Sequence, residues 1–267
     1  MGAGNVMARR EAVGNDKGGP GKTTVAVNLT ASLARRNHRV LVVDMDPQAN
    51  ATRRLRAIMS ESTPTINDAL RDGAAGCAAA AVAGCGWDVP YAARIGIVPS
   101  GTDLTNRDSE GSTGWWRRLA RVLDGADDGY DFTILDCKPG FGHLTQMVLA
   151  AADGVLCVVN PAFDAVEAAT RLRDFAGAYA ADLGNPGLRV TGYVGCQVDL
   201  RLTEHRWWLE NMPASLGEAV WEPAIPLRTV IHEANNAGQP LDAYGQDGRK
   251  VMALFDELAG RYLGAVR

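Results

Sequence analysis

Short, uninterrupted apolar runs alternate along this chain with longer stretches in which apolar residues recur every three or four positions. Val40–Val43, Phe132–Leu135 and Val155–Val159 are continuous runs, the pattern of strands covered on both faces, as in a parallel sheet. Weaker strand patterns lie at 10–15, 94–99, 189–197 and 219–225. Between them, residues 23–36 place Val25, Val27, Leu29, Leu33 and Ala34 among good helix formers, and Asn37 follows where a helix C-cap is expected. Further helices are predicted at 66–70, 114–123 and 249–263, the last with Val251, Leu254, Phe255, Leu258 and Tyr262 at helical spacing. Strand and helix alternate from end to end, which predicts an α/β fold: a doubly wound, mostly parallel sheet with helices on both faces. Residues 53–93 are the least regular, with an alanine–glycine segment at 73–86. Residues 1–9 read as a flexible leader and 10–267 as a single domain, since no repeat or linker divides the chain.

Chemistry enters at residues 17–23, Lys-Gly-Gly-Pro-Gly-Lys-Thr, between the first strand pattern and the first helix pattern. Gly18, Gly19 and Gly21 let backbone N–H groups approach a phosphate chain without obstruction from Cβ atoms. The helix that follows turns its positive dipole end toward the same anions. Lys22 is placed to reach the β- and γ-phosphates and the Thr23 hydroxyl to bind Mg2+, with Thr24 continuing the helix. The standard loop, G-x-x-x-x-G-K-[ST], has glycine where this chain has Asp16, and a second lysine, Lys17, precedes the glycines. This is the deviant form of the Walker A motif.

Ligands of open α/β sheets sit beyond the carboxyl ends of the strands. Asp44, Asp46 and Asp136 stand at such ends. Asp136 follows four apolar or β-branched residues, the Walker B arrangement, and is expected in the magnesium shell. Asp44 is expected near the same shell, and Asp46, two residues on, could orient an attacking water.

Composition narrows the field. Hydrophobic residues make up 46% and charged residues 22%, ordinary for a globular protein, and the net charge of −4 means that any DNA contact needs a local basic patch. No signal peptide or 18-residue apolar span is present. The five cysteines are odd in number and contain no C-x-x-C, which suits a reduced, cytoplasmic protein. The four histidines show no metal-ligand spacing.

Three motifs in order, Asn15-Asp16-Lys17-Gly18-Gly19-Pro20-Gly21-Lys22-Thr23-Thr24, Val43-Asp44-Met45-Asp46-Pro47-Gln48 through Thr52, and Tyr130 through Pro139, resemble the ParA/MinD family of deviant Walker ATPases. Weaker echoes follow at Ala151-Ala152-Asp153, Ile225-Pro226, Glu233-Ala234 and Gly238-Gln239-Pro240, so the likeness runs from about 10 to 264. It implies a P-loop ATPase with ATP and Mg2+ as cofactors that forms a nucleotide-sandwich homodimer. Lys17 would be the signature lysine crossing to the partner's phosphates. Lys22 and Thr23 keep the loop roles above, Asp46 matches the water-activating aspartate, and Asp44 and Asp136 match the magnesium-side carboxylates. Gln197 and Pro226 fall at the adenine side.

Within the family, the chain looks most like ParA partition ATPases without an N-terminal helix-turn-helix, since about nine residues precede the first strand. Such proteins bind double-stranded DNA non-specifically as ATP dimers, and a ParB-type centromere-binding partner triggers hydrolysis and release. The expected location is the cytoplasm, on the nucleoid. Arg201 and Arg228 lie near the family's DNA-contacting segments. Arg53, Arg54 and Arg56 read as a solvated helix face, with a DNA or partner patch as the alternative. Pro20 stands for the usual valine, Asp16 for a glutamine, Lys138 for a proline and Gln197 for an asparagine; Lys138 could meet phosphate, DNA or solvent. Each of Trp115-Trp116 and Trp207-Trp208 is expected to put one ring in the core. Two other readings use the same scaffold. A MinD-like membrane-cycling ATPase needs a basic amphipathic tail, whereas Asp256 and Glu257 offset Arg249, Lys250 and Arg261 here, so a core-packing final helix is expected and no membrane contact. The other is a metabolic enzyme, such as an iron–sulfur reductase or a small-molecule kinase-like ligase; the iron–sulfur version needs paired cysteines, and no such set is evident.

Overall fold

The computed structural model describes residues 8–109, 111, 113–217 and 219–266. Its strands are β1 (Arg9–Gly14), β2 (Val40–Met45), β3 (Ala83–Gly84), β4 (Ile95–Val98), β5 (Phe132–Cys137), β6 (Gly154–Val159), β7 (Val190–Val198) and β8 (Val220–Pro226). Its helices are α1 (Lys22–Arg35), α2 (Asn50–Arg54), α3 (Ile66–Asp72), α4 (Arg118–Val122), α5 (His143–Ala151), α6 (Phe163–Tyr179), α7 (Thr203–Leu216), α8 (Thr229–Ala237) and α9 (Gly245–Ala265). The strands form one sheet in the order β3-β4-β2-β5-β1-β6-β7-β8, parallel throughout except for β3 against β4.

The apolar runs behave as continuous runs must. In β2, Leu41 and Val43 face one core, with α3 to α7, while Val40 and Val42 face a second core, with α1, α2, α8 and α9. Alternation along a strand sends successive side chains to opposite faces, so a strand buried on both sides needs apolar residues at every position. The same split divides Leu135 from Ile134, and Val155, Cys157 and Val159 from Leu156 and Val158.

Helix ends follow local chemistry. Asn37 adopts φ 70° just past α1, the left-handed conformation that asparagine tolerates. Thr65 and Asp68 form a reciprocal cap on α3, and Gly73, at φ 70°, ends it. The alanine–glycine segment becomes a 3-10 turn over Cys77–Ala81 leading into the two-residue β3. α9 buries Val251, Phe255, Leu258 and Tyr262, as a core-packing helix does.

Residues 1–7 of the expected leader lie outside the described residues; Ala8 is buried and Arg9 opens β1. Trp115 and Trp116 depart from expectation. Both lie half-buried on a 3-10 turn over Trp115–Arg117, and Trp115 stacks on His143 at 3.8 Å at the start of α5, so neither ring enters the core. Trp207 is exposed and Trp208 half-buried. No helix among the described residues is long and apolar enough to cross a membrane.

Candidate active site

β1 lies inside the sheet, between β5 and β6, and the direction of winding reverses beside it. The crevice of a doubly wound sheet forms at such a reversal, and the loop from Asn15 to Gly21 fills it. Asn15 pins the loop from below: its buried amide donates to the Val158 carbonyl (2.7 Å) and its side-chain oxygen accepts from the Lys17 N–H (3.1 Å). Gly19 and Gly21 take φ 84° and 101°. Gly21 is also a close approach, since a Cβ there would stand 2.6 Å from the Cys196 sulfur.

Lys22 is buried, and its Nζ donates to the Lys17 carbonyl at 2.9 Å. Burial pushes its pKa down, opposed by nearby thiols and by Asp136 and Asp46. Asp16 adds a negative charge beside the phosphate loop, and Arg171 on α6 offsets it, donating to it at 2.9 Å. Lys17 does not enter the pocket beneath it. Its side chain lies at the rim, 41% exposed, with Nζ 3.5 Å from Asp164 at the start of α6.

Register brings the carboxylates together. Asp44 on β2 pairs directly with Asp136 on β5. Thr23 donates its hydroxyl to Asp136 Oδ2 at 2.8 Å, while Asp136 Oδ1 is fully buried with no hydrogen-bond partner among the described residues. Burial, with Asp44 alongside, pushes the Asp136 carboxyl far above the ordinary carboxylate range. Asp44 is also pushed up by burial, against three hydrogen bonds. Those bonds occupy both of its oxygens: Oδ2 accepts from the Thr52 N–H (2.8 Å) and hydroxyl (2.7 Å), and Oδ1 from the Asp46 N–H (3.2 Å). Asp46 Oδ1 accepts from the Gln48 N–H at 2.9 Å, and Oδ2 has no partner among the described residues.

The cleft is lined by Gly19–Thr24, Asp46, Asn50, Arg54, Pro139, Gln197, Pro226, Arg228, His232 and Asn235, among others. Gln197, at φ 60°, donates its amide to the Gly19 carbonyl (2.9 Å), so it braces the phosphate loop. Arg228 caps the start of α8 at the edge of the cleft. Arg201 is 88% exposed and held by Asp199 through two guanidinium nitrogens. Lys138 pairs with Asp108, which also accepts from the Leu144 N–H at the start of α5; the lysine ties down the loop after β5. Arg53 and Arg56 are exposed, as a solvated face requires, but Arg54 turns inward to Thr24. Asn15, Arg54 and Asn235 were not legible as site residues, because Asn15 bonds Val158 and the other two bond Thr24, all distant in the chain; Thr52 acts on Asp44, eight positions back, only through the turn after β2.

Comparison with known proteins agrees with this geometry. A family model described as an AAA domain matches residues 8–184. The chromosome partitioning protein ParA of Caulobacter vibrioides is 32% identical over 239 residues, 87% of this chain and 86% of that one. The chain belongs to the ParA/MinD family of P-loop ATPases. Two solved folds superpose over nearly the whole chain. An ATP complex of a McdA variant from Cyanothece gives a TM-score of 0.81 at 21% identity, covering 97% of each chain. Cobyrinic acid a,c-diamide synthase from Mycobacterium smegmatis with ADP and magnesium gives 0.76 at 25%, covering 98% of this chain and 97% of that one.

For a member of the ParA/MinD family, the cofactors are ATP and Mg2+ and the chemistry is ATP hydrolysis. The residues present fit both. A loop free of Cβ atoms suits a phosphate chain, and the orphaned oxygen of Asp136 beside the Thr23 hydroxyl is a harsh environment for a carboxylate that a divalent cation would relieve. Among the described residues, no three His, Cys, Asp or Glu side chains converge as a metal-binding group by themselves.

Proposed function

We propose that this protein is a DNA-partition ATPase of the ParA type. In this reading it forms an ATP-sandwich homodimer, binds double-stranded DNA non-specifically on the nucleoid, and is released when a ParB-type partner stimulates hydrolysis. The observation that carries the reading is the division of labour between two lysines. Lys22 occupies the pocket of its own chain, whereas the Lys17 side chain stands at the rim, held among the described residues by one exposed ion pair, free to serve a phosphate bound by a second copy. A cation supplied in trans makes pairing depend on the triphosphate. Likeness to a partitioning protein over most of both chains supports the cargo class.

The residues act as follows. N–H groups of Gly18 to Gly21 and the start of α1 bind and orient the phosphates. Lys22 balances charge on the β–γ bridge as that bond breaks. Thr23 and Asp136 would hold Mg2+, which supplies charge neutralisation at the phosphate oxygens. Asp46 offers Oδ2 to the attacking water, accepts its proton and aligns it with the γ-phosphorus; the bond to the β-phosphate oxygen breaks and ADP departs. Asp44, with both oxygens engaged, supports Asp136 and orients the turn carrying Asp46. Arg201 and Arg228 are candidate DNA contacts.

The test is binding to non-specific duplex DNA with ATP, ADP or no nucleotide. ATP-dependent binding that is lost in Lys17→Ala, and that persists without release in Asp46→Ala, is the expected outcome. Absence of DNA binding in every state, with ATP-dependent sedimentation on liposomes instead, would move the assignment to a MinD-like cycle; absence of both would favour a metabolic enzyme on this scaffold.

A further inference from the structure

Arg54 is the last residue of α2, a short helix that follows the Asp44–Asp46 turn. Its backbone is anchored from two directions. The Trp87 indole N–H is shared between the Arg54 carbonyl (2.8 Å) and the Gly238 carbonyl (3.1 Å), so one side chain ties the end of α2 to the end of α8. The next residue, Leu55, is fully buried and accepts from the Gly86 N–H at 3.0 Å. The side chain that this anchoring directs is half-buried and lines the nucleotide cleft.

The guanidinium makes one hydrogen bond to a described residue, from Nη1 to Thr24 Oγ1 at 3.1 Å, and no salt bridge to any described carboxylate. Removing a guanidinium from water without a paired anion is unfavourable, and burial here does push its pKa down. A cation in that position wants an anion, and the cleft it lines is built for one. Thr24 strengthens the point. Its hydroxyl oxygen accepts from Arg54 and also from Asn235 Nδ2 at 3.2 Å. With both lone pairs taken, the hydroxyl has its proton left to donate. Arg54, Thr24 and Asn235, from α2, α1 and α8, thus present donors to one place.

Where that place falls along the phosphate chain follows from helix geometry. Successive residues on a helix diverge by about 100°. Thr23 points to Asp136 on β5, the magnesium side. Thr24 points away from it, toward α8, whose Ile231, His232 and Asn235 wall the far end of the cleft. We propose that Arg54, steadied by Trp87 and acting with Thr24, is a nucleotide ligand at a phosphate that ADP and ATP share, on the nucleoside side of the chain, and that it holds product as firmly as substrate. The inference rests on the reading of this cleft as the ATP site.

The test is calorimetric titration of wild type, Arg54→Gln, Arg54→Lys and Trp87→Phe with Mg2+ and either ADP or a non-hydrolysable ATP analogue, together with the release rate of a fluorescent ADP. A charge-assisted hydrogen bond predicts that Arg54→Gln raises both Kd values by the same factor, about 10- to 100-fold. ADP release is expected to quicken in step, Arg54→Lys to recover part of the affinity, and Trp87→Phe to weaken both nucleotides by a smaller, equal factor. The nucleotide-free Tm of Arg54→Gln is expected to match wild type. Unchanged ADP affinity in Arg54→Gln overturns the proposal, as does a loss confined to the triphosphate analogue, which would put the charge at the γ-phosphate. A lowered nucleotide-free Tm with no loss of affinity assigns Arg54 a structural role and likewise overturns it. Wild type that binds neither nucleotide is a different failure, that of the ATP-site reading itself.

Discussion

Gly21 and Cys196 are packed so closely that the glycine's missing side chain is what lets β7 close over the phosphate loop. A Cβ at Gly21 would lie 2.6 Å from the cysteine sulfur, and the glycine also sits at φ 101°. Gly21→Ala is therefore expected to abolish the rise in Tm that ATP gives, and to destabilise the fold by about 2 kcal/mol or more. Adding Cys196→Ala should recover only part of this, because it relieves the clash and leaves the left-handed backbone. Gly18→Ala is the contrast. Its nearest neighbour would be Pro139 at 3.8 Å, so a stability change within about 1 kcal/mol is expected by thermal denaturation.

Thr52 orients Asp44 with both its N–H and its hydroxyl, and the same hydroxyl oxygen accepts from the Ser100 N–H at 3.0 Å. Thr52→Val keeps the shape and removes the hydroxyl from a buried network. A loss of about 1–3 kcal/mol in stability is expected. Magnesium-dependent hydrolysis should fall about 10- to 100-fold, as for other partners that orient a metal-side carboxylate, with a smaller change in nucleotide affinity. Equal loss of both, measured by phosphate release and calorimetry, would place Asp44 in direct nucleotide contact instead.

Lys17 and Asp164 are 41% and 74% exposed, and ion pairs of that kind contribute little to stability. Lys17→Ala and Asp164→Ala should each leave Tm nearly unchanged. Light scattering with ATP should nonetheless separate them: Lys17→Ala stays monomeric, while Asp164→Ala, with its lysine released, pairs at least as well as wild type. A monomeric Asp164→Ala would show that the aspartate itself contributes to pairing.

Glu11 gives the fold a pH dependence unrelated to the site. It is fully buried in β1, with Arg9 at 3.4 Å and the Thr191 hydroxyl nearby, and Oε1 makes no hydrogen bond of good geometry among the described residues. Burial pushes its carboxyl from 4.5 to about 7. The folded state therefore holds a proton that the unfolded state has already lost over that interval, so Glu11 contributes a decline in stability of about 3 kcal/mol as pH rises from about 4.5 to 7, beside the declines from the raised carboxyls of Asp44 and Asp136. Glu11→Gln should make this slope shallower in urea titrations, leaving the part due to Asp44 and Asp136, and gain on wild type at pH 8 relative to pH 5. An unaltered slope in the variant would mean that another group titrates there.

The phosphate loop, the aspartates at strand ends and the alternation of strands and helices were legible because each depends on residues adjacent in the chain. A continuous apolar run can be satisfied only inside a two-sided sheet, and a glycine run before a helix has few other uses. Arg54 was not legible. In sequence it belongs to a basic triplet with Arg53 and Arg56, and nothing local tells the three apart. Only Trp87, 33 positions on, and Gly238, at the end of α8, fix the backbone so that one guanidinium turns to Thr24. The two unequal aspartates are a similar case: Asp44 and Asp136 read alike as strand-end acids, yet Thr52 occupies one and leaves the other with a bare oxygen. Local pattern determined the fold and the chemistry of the loop, since backbone conformation and burial follow from nearest neighbours and periodicity. Long-range packing alone decided which charges face the cleft, because a side chain's direction depends on partners that the chain brings together only when the sheet closes.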